Sequence, residues 1–148
     1  KAEAMLSKLM DALDYVGVMA MECFRVGDEL LINELAPRVH NSGHWSQAGA
    51  STCQFENHVR AVTNLPLAPV QVKNQSMMVN LIGVDVDYQW LNITALELYW
   101  YKKEVRPGRK VGHLNFCSAD ISVLKQGLTE LNLPAPYPEA LEWLEKNL

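Results

Sequence analysis

Apolar residues recur every three or four positions at the start of the chain. Ala4, Met5, Leu6, Leu9, Met10 and Leu13 fall on one helical face, which predicts an amphipathic helix over residues 2–14. Residues 16–25 then alternate small and larger apolar side chains, with Glu22 set among them. A second extended run covers residues 29–35. The Gly27-Asp28 dipeptide between the two runs predicts a β-hairpin. Residues 36–51 show neither helical nor strand periodicity and carry Pro37, Arg38, His40, Gly43, His44 and Gly49. A loop of that length inside a compact domain is uncommon and usually functional. Thr52 is placed to cap a helix running to about residue 64, with Phe55, Val59 and Val62 on one face.

Pro66 and Pro69 mark a linker, and the pattern changes beyond it. Strands are expected over residues 77–86, 96–103 and 110–116. Arg106-Pro107-Gly108-Arg109 has the Pro and Gly positions of a type II turn. Asp120 should cap a helix to about residue 131, and residues 139–148 should form a short closing helix. The class is α+β, with a boundary near residues 66–75 that divides the chain into residues 1–70 and 71–148.

Composition narrows the possibilities. The 148 residues are 49% apolar and 20% charged, enough for one domain or two small packed pieces and too apolar for a disordered chain. A net charge of −4 argues against a nucleic-acid coat, which needs a broad basic face. No apolar run approaches the roughly 20 residues that span a bilayer, so no membrane role is expected. No signal-peptide pattern opens the chain. Cys23, Cys53 and Cys117 are odd in number and widely spaced, which fits a reducing cytoplasm better than a disulfide framework. The chain opens at Lys1 inside a helical pattern without an initiator Met, as a piece of something larger would.

Glu22 and Glu34 lie symmetrically about Asp28 in the hairpin. In that register their carboxylates face each other, an arrangement that is destabilising unless something is shared between them. Glu22 also sits between Met21, Cys23 and Phe24, a poor setting for a lone charge. A hard cation such as Mg²⁺ takes one or two carboxylates and completes its shell with water and phosphate oxygens, and Asn33 has a further carbonyl to offer. The competing reading is two half-exposed glutamates in another register. Arg38, His40, Asn41, Ser42, His44 and Trp45 follow closely, combining a bidentate anion binder with groups that titrate near neutrality. A polar surface loop with histidines capping backbone groups is the competing reading there. Five of the thirteen basic residues, Lys102, Lys103, Arg106, Arg109 and Lys110, cluster on the second hairpin. Taken alone, they make a solvated tip.

Three motifs carry a family resemblance: GVMAMECF at residues 17–24, NELAPRVHNSGHW at 33–45 and KEVRPGRKVGHLN at 103–115. Together they resemble the C-terminal portion of ATP-grasp ligases of purine biosynthesis, the 5-(carboxyamino)imidazole ribonucleotide synthases. The resemblance implies that residues 1–70 are the C-terminal part of an ATP-grasp domain, antiparallel strands with packed helices. Residues 71–148 would be a small, mainly β C-terminal domain. The implied reaction is ATP- and bicarbonate-dependent carboxylation of 5-aminoimidazole ribonucleotide through carboxyphosphate.

On the same resemblance, Mg²⁺ (or Mn²⁺) belongs to Glu22, Glu34 and Asn33, with Asn33 and Glu34 turned to the ATP phosphates. Arg38 faces carboxyphosphate, and His40 orients bicarbonate or takes a proton. Asn41, Ser42 and Gly43 shape the pocket. The ribose phosphate falls to Lys103 and Arg109 first, then Arg106 and Lys110. A homodimer is expected of the whole enzyme. The family's glycine-rich loop and ATP-covering lysines are not found here, so little or no turnover is expected of the 148 residues alone. A sister ligase with another acceptor, or a non-catalytic nucleotide-binding domain, are the alternatives. The Met and Leu stripe of residues 5–13, Cys23, His58, His113 and the strand aromatics Trp90, Tyr99, Trp100 and Tyr101 are expected to be packing.

Overall fold

The computed structural model describes residues 1–134 and 137–147. Helix α1, Ala2–Ala12, follows the predicted stripe, but none of its residues is buried. Met5, Leu6, Leu9 and Met10 are half-buried, because no other described element packs closely on this helix. The expectation of a core stripe is corrected to that extent. Strands β1, Ala20–Val26, and β2, Glu29–Ala36, form a two-stranded antiparallel sheet. β1 starts later than expected. Gly17 has a φ of +133° and the Val18 N–H bonds His58 Nδ1 at 2.9 Å, so the chain before Ala20 is engaged elsewhere. Cys23 is half-buried, not enclosed.

Residues 36–51 are not a structureless loop. A 3₁₀ turn, Asn41–Gly43, leads into the one-turn helix α2, Ser46–Gly49, whose Ser46, Ala48 and Gly49 are buried. Ala50 then bridges to Val72 and the Lys73 N–H bonds Gly49 O at 2.8 Å, which pins the Pro-rich segment down. Helix α3, Gln54–Val62, is not capped by Thr52. The Thr52 hydroxyl donates to Pro69 O, while Ser46 Oγ accepts the Gln54 N–H at 3.0 Å.

The larger sheet has the order β3-β5-β4 and is antiparallel throughout. Its strands are β3, Gln75–Ile82, β4, Leu96–Trp100, and β5, Lys110–Ser118. β3 and β4 are shorter than predicted because Gly83 and Lys102 adopt left-handed backbone, φ +65° and +54°. The Arg106–Arg109 turn closes as expected, with Gly108 at φ +73° and Arg109 N–H on Arg106 O at 3.0 Å. Helix α4, Ile121–Glu130, begins on the Asp120 cap, whose carboxylate accepts the Ser122 N–H. The closing helix α5 covers Tyr137–Asn147; Leu148, the last residue of that expectation, lies outside the described residues.

One sheet face carries the apolar core. Leu81, Leu114 and Phe116 pack with Leu124 and Leu128 of α4 and with Trp90 and Ile93. Trp90 lies in a 3₁₀ turn, not a strand, and its Nε1 donates to Leu131 O. The opposite face is covered by the 40–50 segment. Gly49 permits that contact: a Cβ there would lie 2.1 Å from Ser76 Oγ and 2.9 Å from the Trp45 ring. No helix among the described residues is long and apolar enough to cross a membrane. Gly49→Ala should cost about 1–3 kcal/mol of stability through overpacking, read as a lower denaturant midpoint. An unchanged midpoint would show that α2 is free to move off the sheet.

Candidate functional site

The hairpin turn has two residues, Gly27 and Asp28, with Val26 opposite Glu29. That register pairs Cys23 with Ile32 and, continued, would set Glu22 against Asn33. A β-bulge intervenes: the register shifts after Cys23 and Glu22 faces Glu34. Asn33 is the extra residue. The expected carboxylate pair is therefore present, on one face of the sheet. Its setting differs from expectation, because Glu22, Glu34 and neighbouring Phe24 are all exposed on a sheet only two strands wide. No group of three or more His, Cys, Asp or Glu side chains gathers as a metal site among the described residues. Two exposed carboxylates with an adjacent amide suit a cation that keeps open positions for water and phosphate oxygens.

His40 joins this pair to the loop. Its Nε2 lies 3.1 Å from Glu22 Oε1, and its Nδ1 accepts from Ser42 Oγ at 2.8 Å and the Ser42 N–H at 3.3 Å. With both Ser42 donors on Nδ1, the neutral ring carries its proton on Nε2 and donates to Glu22. Arg38 is exposed beside it, its Nη1 on Val39 O at 3.0 Å.

The basic cluster is sorted by a second bulge. Leu81 pairs with Gly112 and Ile82 with Lys110, which leaves Val111 as the extra residue. Simple alternation would turn Lys110 away from His113; the bulge sets both on the same face. Lys110 Nζ donates to Asn41 Oδ1 and lies 5.7 Å from the Tyr101 ring centroid, while Lys103 Nζ lies 5.1 Å from it. The cations gathered around Tyr101 and Asn41 are thus Lys103 and Lys110. Arg106 is turned to Glu104, and Arg109 sits exposed in the turn.

Behind the lysines lies a buried polar cluster that the sequence reading treated as packing. His113 is 2% exposed. Its Nδ1 bonds the Tyr101 hydroxyl at 2.6 Å, its Nε2 bonds Gln47 Oε1 at 2.9 Å, and its ring stacks on Tyr99 at 4.6 Å. His44 lies over it at 4.8 Å, and Asn115 Nδ2 donates to His44 O. Gln47, Gln54 and His113 were missed as site residues. Only the spacing of Lys110 and His113 on one strand hinted at any of them, and the bulge disguised it.

Burial, then Lys110 and His40, push the His44 imidazole down to about 4. Burial, then His44 and Lys110, push His113 down to about 4 as well. Burial and Lys103 lower Lys110 to about 8. Well above pH 6.5 both histidines are neutral folded and unfolded, and they add no pH dependence. Below it the unfolded chain takes up protons first, so stability falls as pH drops from about 6.5 toward 4. Thermal melts across that window should show the decline, with a shallower slope for His113→Gln. Equal slopes would remove the histidine pair as its cause.

The chain is similar to known proteins in both of its parts. Residues 1–55 match the ATP-grasp domain, and residues 76–127 match the phosphoribosylaminoimidazole carboxylase C-terminal domain. The N5-carboxyaminoimidazole ribonucleotide synthase of Escherichia coli (strain K12) is 58% identical over 147 residues, 98% of this chain and 41% of that protein. The crystal structure of the synthetase from Thermus thermophilus superposes with a TM-score of 0.79 at 54% identity, covering 88% of this chain and 36% of that one. The synthase of Aspergillus clavatus, solved with ADP and 5-aminoimidazole ribonucleotide, gives a TM-score of 0.64 at 27% identity over 85% of this chain and 35% of its own. The chain spans about two fifths of the length of the curated relatives it matches. By sequence and by fold, this chain is similar to about two fifths of the length of the N5-carboxyaminoimidazole ribonucleotide synthases, residues 1–55 matching the ATP-grasp domain and residues 76–127 the phosphoribosylaminoimidazole carboxylase C-terminal domain.

Proposed function

We propose that this chain forms the metal-bearing and ribonucleotide-binding end of an enzyme that carboxylates 5-aminoimidazole ribonucleotide at the expense of ATP. The observation that carries the proposal is the single loop, residues 38–44, that touches both charged clusters. At one end His40 bonds Glu22 of the carboxylate pair; at the other Asn41 bonds Lys110 of the lysine pair. An anion activated beside the carboxylates is then next to a nucleotide whose phosphate sits on the lysines. In the reaction a bicarbonate oxygen attacks the γ-phosphorus of ATP, giving carboxyphosphate and ADP. Carboxyphosphate then yields its carbon to the exocyclic amine, with loss of phosphate and one proton.

Each residue has a role on this reading. Glu22 and Glu34, with Asn33, hold Mg²⁺ (or Mn²⁺), which when bound neutralises charge on the transferring phosphoryl group. Asn33 and Glu34 face the ATP phosphates. Arg38, exposed at the loop's start, meets the carboxyphosphate anion with a fixed positive charge. His40, proton on Nε2 and lone pair toward Ser42, orients bicarbonate with Asn41 and Ser42. Lys103 and Lys110 take the ribose phosphate, with Arg106 and Arg109 at the rim. Residues 1–70 act as the end of the ATP-grasp domain and residues 71–148 as the small C-terminal domain. The whole enzyme is read as a cytoplasmic homodimer. Support comes from the relatives' names and from the Aspergillus clavatus complex with ADP and the aminoimidazole ribonucleotide.

Two experiments on the intact enzyme test the assignment, with ATP, bicarbonate and the ribonucleotide as substrates. Glu34→Gln should lower kcat by at least about 10²-fold, the usual scale for losing one transition-state charge contact. A near-normal rate would remove Glu34 from the metal site. Lys110→Ala and Lys103→Ala should each raise the ribonucleotide KM about 10- to 100-fold, since hydrogen bonds to charged groups contribute about 1.5–3 kcal/mol. Arg109→Ala should raise it less. A selective ATP defect in the lysine variants would overturn the phosphate assignment.

A further inference from the structure

Gln54 lies outside both charged clusters, yet its carboxamide holds three groups of the loop that joins them. Oε1 accepts the His40 main-chain N–H at 3.0 Å. Nε2 donates to His40 O at 2.7 Å and meets His44 Nδ1 at 2.7 Å. The first two contacts settle how the amide is oriented. Reversed, it would set an NH₂ against an N–H and an oxygen against a carbonyl. With Nε2 a donor, His44 Nδ1 must be an acceptor, and the neutral His44 ring carries its proton on Nε2. All the amide's hydrogens are then used.

The rest of Gln54 is equally committed. Its main-chain N–H bonds Ser46 Oγ, and that hydroxyl donates to Gly43 O at 2.6 Å. One residue therefore grips the loop at His40, at His44 and, through Ser46, at Gly43. Gly43 makes the room: a Cβ there would lie 2.5 Å from Gln54 Oε1. His44 is in turn seated on His113 of the sheet, with Asn115 holding its carbonyl. A carboxamide both accepts from the N–H and donates to the C=O of one residue, His40. A carboxylate of the same shape sets an oxygen against His40 O and offers His44 no proton.

We propose that Gln54 is the positioning residue for His40 and Asn41, fixing their main chain so that the His40 ring reaches Glu22 and the Asn41 amide reaches Lys110. This rests on the carboxylase reading above for its kinetic consequence and on the geometry alone for its structural one. A misplacement of about 1 Å in a catalytic constellation can cost about 10²-fold in rate.

The test has a spectroscopic arm and a kinetic arm. In the 148-residue chain, long-range ¹H–¹⁵N spectra of the imidazoles should show His44 as the Nε2–H tautomer, and Gln54→Glu should abolish that state while His58 keeps its own. Gly43→Ala, which leaves the amide intact but fills its space, should also disturb the His44 signals. An Nδ1–H His44 in the unaltered chain, or an unchanged His44 in Gln54→Glu, overturns the clamp. In the intact enzyme Gln54→Glu should lower kcat about 10²-fold with the KM for ATP within two-fold. A normal kcat overturns the positioning role. If the unaltered enzyme shows no bicarbonate-dependent turnover, the carboxylase reading fails, and the tautomer spectra still decide the clamp.

Discussion

β5 is buried without a break from Val111 to Phe116, and two of those six residues are His113 and Asn115. A strand can bury apolar side chains on both faces at no polar cost, but an imidazole and an amide taken out of water must find partners. The apolar core on the α4 side has none to offer. The 40–54 segment supplies them through the Gln47 side chain and the His44 carbonyl, and Tyr101 bonds His113 Nδ1 from the end of β4, leaving Asn115 Oδ1 buried without a hydrogen-bond partner. The loop that carries the candidate chemistry is therefore laid down on the sheet by the demand of β5 for hydrogen bonds. Gly49 lets that contact close to van der Waals distance.

Two bulges then decide which charges meet. In the small hairpin the extra Asn33 turns Glu34 to face Glu22; in the larger sheet the extra Val111 turns Lys110 onto the face of His113. Each bulge shifts one charged side chain by one register step, and a one-step shift reverses the face. The carboxylates gather on one sheet and the lysines on the other. His40 and Asn41, adjacent in sequence, reach one cluster each. A short hydrogen-bonded loop thus joins a carboxylate of one sheet to a lysine of the other.

Features set within a few residues were legible in the sequence. The Gly27-Asp28 turn, the Arg106–Arg109 turn and the Asp120 cap each depend on backbone preferences of the residues involved, and each formed where expected. The Glu22–Glu34 pairing was also anticipated, although the symmetric hairpin assumed for it differs from the two-residue turn and bulge that produce it. Thr52 misled because the helix starts one residue later, with Cys53 at the cap position and the Gln54 N–H taken by Ser46 Oγ, while the Thr52 hydroxyl donates to Pro69 O across seventeen residues of chain. Gln54 and Gln47 gave no sign of their contacts, and the bulge disguised the one sign His113 gave, its spacing from Lys110. Their partners are fixed by tertiary contact between a loop and a sheet, and no local spacing encodes that.

The electrostatics of the buried cluster follow from its composition. Lys103 and Lys110 share the rim of Tyr101, and placing two cations together beside buried groups raises the cost of any further positive charge. His44 and His113 stay neutral, both pushed down to about 4 first by burial and then with Lys110 among the further causes. Neutral rings act as hydrogen-bonding spacers: Tyr101 and Gln47 hold His113, and Gln54 holds His44. All the positive charge of this face is then left to the two ammonium groups. Lys110 itself is lowered to about 8 by burial and by Lys103, so it retains its proton at neutral pH with little to spare. An anion seated between the lysines reverses the sign of that interaction and favours the protonated amine. On the proposed reading, the same burial that disfavours charge on Lys110 would strengthen its hold on a phosphate once one is bound.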